Sequence, residues 1–344
     1  MESDARIALP TPRAPGIFEF ARMLSFWRWV SVSRLTVWPE SPDPQARMKP
    51  IVTTGRIDFM PRNLNNVPAA RNSLTRALEG ETMRRLLSAA LLVPFLGCRE
   101  PSLADRLSAG NWIDLTYTFD SSTVYWPTAA PFNLTVVSAR RLPAGYYYAA
   151  NNFSTAEHGG THLDAPVHFV EKKRSTDQIP LSQLMGPAIV IDVSKQADSS
   201  ADFRVHQSDL TAWEEQHGTI PEGSIVFIRT GWGTRWPDRA RYLGTTKAGT
   251  AGMAELHFPG IDLDAARGLV RRKVKAVGID TPSIDYGQST TYQAHRRLFA
   301  SNIPAFENVA QLDKLPVTGA FVIALPMKIG GGSGGPLRIV ALLP

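Results

Sequence analysis

Three of the chain's seven histidines and one aspartate fall within the eleven residues from His158 to His168. The run reads Glu157-His158-Gly159-Gly160-Thr161-His162-Leu163-Asp164-Ala165-Pro166-Val167-His168. Imidazole with carboxylate is a ligand set that suits zinc, manganese or iron(II). On a helix, His158 and His162 share a face, but Asp164 lies about 240° around from His158. On an extended chain the four positions, spaced by even numbers, point the same way. A straight strand nevertheless holds His158 roughly 20 Å from Asp164. Convergence on an ion therefore requires a bend, which Gly159-Gly160 permit, while Pro166 ends regular pairing. The window reads as a strand running into a curled loop that gathers ligands.

At 344 residues the chain holds one large domain or two. Its net charge of +6 and pI near 9.5 raise nucleic acid or a membrane surface as partners. The distribution argues against nucleic acid. Residues 1–82 carry ten Arg, one Lys and eight acids, and Arg84 and Arg85 follow, whereas from Arg99 onward 24 bases face 23 acids. Residues 1–82 also show no sustained period. Met83-Arg84-Arg85 then precedes an apolar run from Leu86 to Leu96 and the pair Gly97-Cys98. A positive start, a short apolar run and a small residue before the break describe a signal peptide. The run is too short to span a bilayer, which takes about 20 apolar residues. Cys98, the only cysteine, follows a glycine as in a bacterial lipoprotein signal.

The expected organisation is a non-native or disordered extension over 1–82, a signal peptide over 83–98, and a single domain over 99–344. The protein is then exported and held to the cell envelope by lipid on Cys98. If Leu86–Leu96 is instead an amphipathic helix of a longer domain, the protein is cytoplasmic.

Short apolar runs rich in β-branched residues mark buried strands at Leu134–Val137, Ala188–Val193, Ile225–Arg229, Ala276–Ile279, Ala320–Ala324 and Leu337–Leu342. Between them, Ser208–Glu215, Asp262–Lys273 and a turn at Pro180–Leu184 read as helical, with Leu263, Ala266 and Val270 on one side of the second. The fold class is α/β. Ile329-Gly330-Gly331-Gly332-Ser333-Gly334-Gly335-Pro336 lacks the Lys-Ser/Thr of a P-loop and leads into a strand, so it reads as a flexible loop near the pocket. His206 and His217 read as surface residues, and His257 stands outside the ligand set.

The histidine run is similar to the signature H-x-G-T-H-x-D-x-P-x-H of the cyclase family, which includes bacterial kynurenine formamidases and isatin hydrolases. Tyr125-Trp126-Pro127, Ile225–Trp232 with its Arg229-Thr230-Gly231, Gly278–Asp285 with its Asp-x-Pro-Ser-x-Asp, His295 and Glu307-Asn308-Val309 resemble further family elements in the same order. The resemblance implies a swivelling β/β/α domain in a homodimer or homotetramer. It implies His158, His162 and Asp164 as ligands of a first zinc or manganese ion, and Asp164 with His295 and Glu307 for a second. Isatin hydrolases work with one ion, so the count is one or two. It further implies His168 as catalytic acid/base and Trp126 as a substrate-side aromatic.

A site with three protein ligands and an open position lowers the pKa of bound water to about 7. The expected function is therefore hydrolysis of a small amide or lactam, with His168 moving the proton. No Ser-His-Asp motif such as G-x-S-x-G is expected in the chain, and so no covalent acyl-enzyme. The rival reading is an exported lipoprotein that binds a metal or ligand without catalysis, which gives His168 no task.

Overall fold

The structure, a computed structural model, describes residues 102–344. The expected extension over 1–82, the expected signal peptide and Cys98 lie outside the described residues.

One sheet organises the domain. Its strands are β1 (Trp112–Asp114), β4 (His162–Asp164), β5 (Met185–Asp192), β7 (Ile225–Arg229), β9 (Ala276–Ile279), β10 (Ala305–Glu307), β11 (Thr318–Pro326) and β12 (Gly334–Leu342). Two further strands, β2 (Asn133–Arg141) and β3 (Tyr147–Ser154), form a separate hairpin, and β6 (Arg204–Val205) pairs with β8 (Gly260–Ile261). The main order is β1-β12-β11-β5-β7-β9-β10-β4, and β4 also pairs with β12. The sheet therefore closes on itself, barrel-like. Strands β5, β7, β9 and β10 run parallel, β11 joins β5 and β4 joins β10 antiparallel, and β12 pairs antiparallel with both β11 and β4.

Alternation along the parallel strands builds two cores. Ile225 and Phe227 point inward with Val190, Ala276, Phe306 and Leu163. Val226 and Ile228 point outward with Ile189, Ile191, Val277 and Ile279. Three helices cover that outer face: α1 (Gln207–His217), α2 (Leu263–Arg271) and α3 (Gln293–Phe299). Each such apolar side chain taken from water is worth roughly 1.5–3 kcal/mol. Gly278 lies against Phe227, whose ring would stand 2.4 Å from an added Cβ. The close packing of β7 on β9 depends on that missing side chain.

All six strand expectations correspond to strands, and all three helical ones to helices. Two details differ. Leu134–Val137 lies in β2 but is exposed, because the hairpin packs as a two-stranded unit outside the sheet. On α2 the buried positions are Ala265, Ala266, Gly268 and Leu269, with Leu263 and Val270 only half-buried at the margins.

Candidate metal centre

β4 closes the sheet, and its neighbours bring the ligand candidates together. In register, His162 faces Glu307 of β10, while Asp164 lies between Ala305 of β10 and Gly334 of β12. Two small neighbours leave the Asp164 carboxylate room for partners from elsewhere. His158 reaches it from the other side of a tight turn. Gly160 has φ 57°, and the Tyr125 ring would lie 2.1 Å from a Cβ on Gly159. The bend thus precedes the strand as well as following it, and β4 itself is only three residues long. His168 sits on the 3-10 turn Pro166–His168 that ends it.

The donor atoms meet in a buried cluster. Asp164 Oδ1 lies 2.7 Å from His158 Nδ1 and 3.1 Å from His162 Nε2. Asp164 Oδ2 lies 3.2 Å from His295 Nε2. Glu307 completes the second side, with Oε1 at 3.1 Å from His295 Nε2 and Oε2 at 3.4 Å from His162 Nε2. Asp164 therefore offers one oxygen to His158 and His162 and the other to His295. The structure brings together all five residues expected to hold metal.

Each imidazole is aimed by its other nitrogen. His162 Nδ1 lies 2.9 Å from the Gly160 carbonyl, which also accepts from Asn308 Nδ2 at 2.7 Å. His295 Nδ1 lies 2.6 Å from Asp285 Oδ2, and that carboxylate also accepts the backbone N–H groups of Ala294 and His295. Asp285 thus caps α3 and orients its candidate ligand His295 at once. A carboxylate behind a ligating imidazole fixes tautomer and ring direction. Asp280, at the start of the same sequence element, instead binds Thr230 and Gly231 and ties the end of β7 to that of β9.

The electrostatics test whether this set fits a cation. Burial opposes charge on His162, yet its contacts to Asp164 and Glu307 outweigh burial and hold it up at about 10. His295 is likewise raised well above its ordinary value against the opposition of burial, through Asp164, Asp285 and Glu307. Burial pushes Asp164 up, but the surrounding imidazoles hold it well below the usual carboxylate range. Two buried carboxylates demand positive charge here. Protons supply it when nothing else does, and a divalent cation meets the same demand with neutral imidazoles as ligands. The residues fit the ion.

His168 differs from the rest. Its ring stacks on His158 at 3.8 Å between centroids, with Nε2 4.0 Å from Asp164 Oδ2. Burial first, then the neighbouring His158 and His295, push it down to about 4, against the pull of Asp164. It stands neutral beside the donors. Above them opens a cavity of about 330 Å³, walled by Val124, Trp126, Phe169, Pro282 and Tyr292. Trp126 lines this cavity, steadied edge-on by Phe258. His257 is exposed and pairs with Asp202, away from the cluster.

Residues 113–286 match the family profile described as Putative cyclase. An isatin hydrolase of Roseibium aggregatum is 36% identical over 208 residues, which cover 58% of this chain and 77% of that protein. A kynurenine formamidase of Salinibacter ruber is 30% identical over 232 residues, 66% of this chain and 95% of that one. Isatin hydrolase A from Ralstonia solanacearum superposes with TM-score 0.64 at 34% identity, over 72% of this chain and 99% of that one. The family and these relatives define a hydrolase acting on carbon–nitrogen bonds, with a side-chain cluster able to hold a metal ion. The chain belongs to the cyclase family.

Proposed function

We propose that the chain hydrolyses the carbon–nitrogen bond of a small aromatic amide or lactam, using zinc or manganese held by His158, His162, Asp164, His295 and Glu307. The observation that carries this reading is His168 stacked on His158 beside a buried carboxylate–imidazole cluster at the floor of an aromatic-walled cavity. The volume suits a small ring system, since ligand pockets run upward from about 300 Å³. Similarity to an isatin hydrolase and to a kynurenine formamidase supports the bond class.

The cation, when bound, supplies Lewis acidity that lowers the pKa of water and polarises a carbonyl. Trp126, Phe169 and Tyr292 hold the substrate ring and exclude bulk water. His168 takes a proton from the attacking water as its oxygen joins the carbonyl carbon. The carbon–nitrogen bond then breaks, and His168 returns the proton to the departing nitrogen. The split of Asp164 between its two oxygens supports two ions.

The reading extends to assembly and location. The hairpin β2–β3 exposes Leu134, Val136, Val137, Tyr147 and Phe153, a set that favours a homodimer or homotetramer. The Met83–Cys98 sequence supports export and lipid attachment at Cys98, checked by mass spectrometry of the native N-terminus.

Turnover of isatin and a formanilide series, with and without chelator, tests the activity. Chelation should abolish turnover and zinc or manganese restore it; full activity in metal-free protein refutes the reading.

A further inference from the structure

The glycine-rich segment before β12 is a built part of the metal centre. Gly334 and Gly335 pair with Asp164 and Leu163, and the Ser333 carbonyl accepts from Ala165 N at 2.8 Å. Thr176 Oγ1 reaches the carbonyls of Gly332 and Gly334. A Cβ on Gly334 would stand 2.6 Å from the His158 ring. The segment is thus pressed against a candidate ligand.

Its one side chain makes a directed contact. Ser333 Oγ lies 2.6 Å from Glu157 Oε2 and 2.9 Å from His158 Nε2, and Ser333 N donates to the same Glu157 oxygen at 2.9 Å. A carboxylate only accepts, so the single hydroxyl proton goes to Glu157. The hydroxyl oxygen is then left as an acceptor toward His158, and Nε2 must carry the ring proton. With a cation at Nδ1 in place of the proton that the 2.7 Å contact to Asp164 Oδ1 requires, the imidazole is neutral and its lone pair lies on Nδ1. His162 and His295 present the opposite nitrogen, Nε2. His158 thus needs its own tautomer control.

We propose that Ser333 and Glu157 are positioning residues that lock His158 in the tautomer able to bind metal through Nδ1. This rests on the reading of His158 as a metal ligand.

A competing arrangement is visible in the same atoms. Gly331-Gly332-Ser333-Gly334-Gly335 has the G-x-S-x-G spacing of a serine nucleophile, so the expectation that no such motif is present is corrected here. Ser333, His158 and Asp164 also follow one another at 2.9 and 2.7 Å. Three facts set the serine nucleophile aside. The serine proton is committed to Glu157, away from the histidine that would have to take it. Ser333 is also absent from the residues lining the cavity. A nucleophile elbow, moreover, joins a strand to a helix, whereas this segment enters a strand.

The test measures zinc and manganese affinity of the full chain by competition with a chromophoric chelator, for wild type, Ser333→Ala, Ser333→Thr and Glu157→Gln. Loss of such an outer partner weakens metal binding about 10- to 100-fold. That loss is expected in Ser333→Ala and Glu157→Gln, with turnover recovered at saturating metal and Ser333→Thr near wild type. Glu157→Gln keeps the size of the side chain, but its amide can donate to Ser333 and turn the hydroxyl proton onto His158. Imidazole ¹⁵N spectra of the zinc-loaded protein should place the His158 proton on Nε2 in wild type and lose that state in Glu157→Gln. Unchanged affinity and tautomer in both variants overturn the proposal. Turnover lost at full metal occupancy, with Ser333 labelled by a fluorophosphonate in wild type, overturns it in favour of the nucleophile. A wild type that binds neither metal defeats the metal-ligand reading itself.

Discussion

Removing the metal should reverse the way the protein responds to pH. Without a cation, His162 titrates at about 10, against an ordinary histidine near 6.5 in the unfolded chain. The folded state then holds the extra proton, so stability is fully present below 6.5 and is lost as pH rises toward 10. One pKa unit is 1.36 kcal/mol, so His162 alone removes about 3 kcal/mol between pH 7 and 9. His295, raised in the same sense, adds to the loss. His168, lowered to about 4, finishes titrating below this window and contributes nothing to it. For a domain of this size the loss corresponds to a melting point lower by roughly 5–10 °C. The loaded protein should show the opposite trend. Binding needs neutral imidazoles, so each displaced proton tightens apparent affinity about tenfold per pH unit. Differential scanning fluorimetry of chelated and zinc-loaded protein from pH 7 to 9 measures both slopes. Calorimetry in two buffers of different ionisation enthalpy counts the protons released. A flat melting point in the chelated protein, together with metal uptake that releases no proton, would refute the electrostatic account of the site.

His168→Ala should retain metal by elemental analysis while turnover falls roughly 100- to 10,000-fold, the range of a lost general acid/base; loss of metal would make His168 a ligand instead. His295→Ala and Glu307→Ala should each lower bound metal from two ions to one, and an unchanged ratio argues for a single ion. Trp126→Ala should raise KM more than it lowers kcat, since that ring is assigned to holding substrate; a fall in kcat alone contradicts the assignment. Leu134→Asp with Val136→Asp should reduce the mass seen by light scattering to that of one chain, and an unaltered assembly would remove the hairpin from the interface.

The site was legible where its logic is local. His162 and Asp164 share a strand face because two residues return a side chain to the same side, and Gly159-Gly160 had to bend because a straight chain could not deliver His158. His295 and Glu307 entered only through resemblance. Nothing in their twelve-residue separation predicts that one lies on a helix and the other on a strand in register with His162. The exposure of Leu134–Val137 could not be read from composition, because a β-branched run looks the same whether a sheet or another molecule covers it.

Asp285 and Ser333 were missed for a different reason: neither belongs to the candidate donor set, and each meets the imidazole nitrogen that points away from it. Asp285 lies ten residues from His295, and Ser333 lies 175 from His158. A search for ligand spacing finds the atoms facing the cation. The atoms behind them are chosen by which backbone the sheet closure brings near, and here closure brings β12 against β4. The glycines before β12 look like a flexible linker in the sequence because they carry no side chains. In the fold that same lack lets the segment lie flat on His158 with one hydroxyl in reach. Glycine enrichment beside a ligand strand therefore points here to close backbone approach, with Ser333 as the only side chain in the stretch able to read the ring.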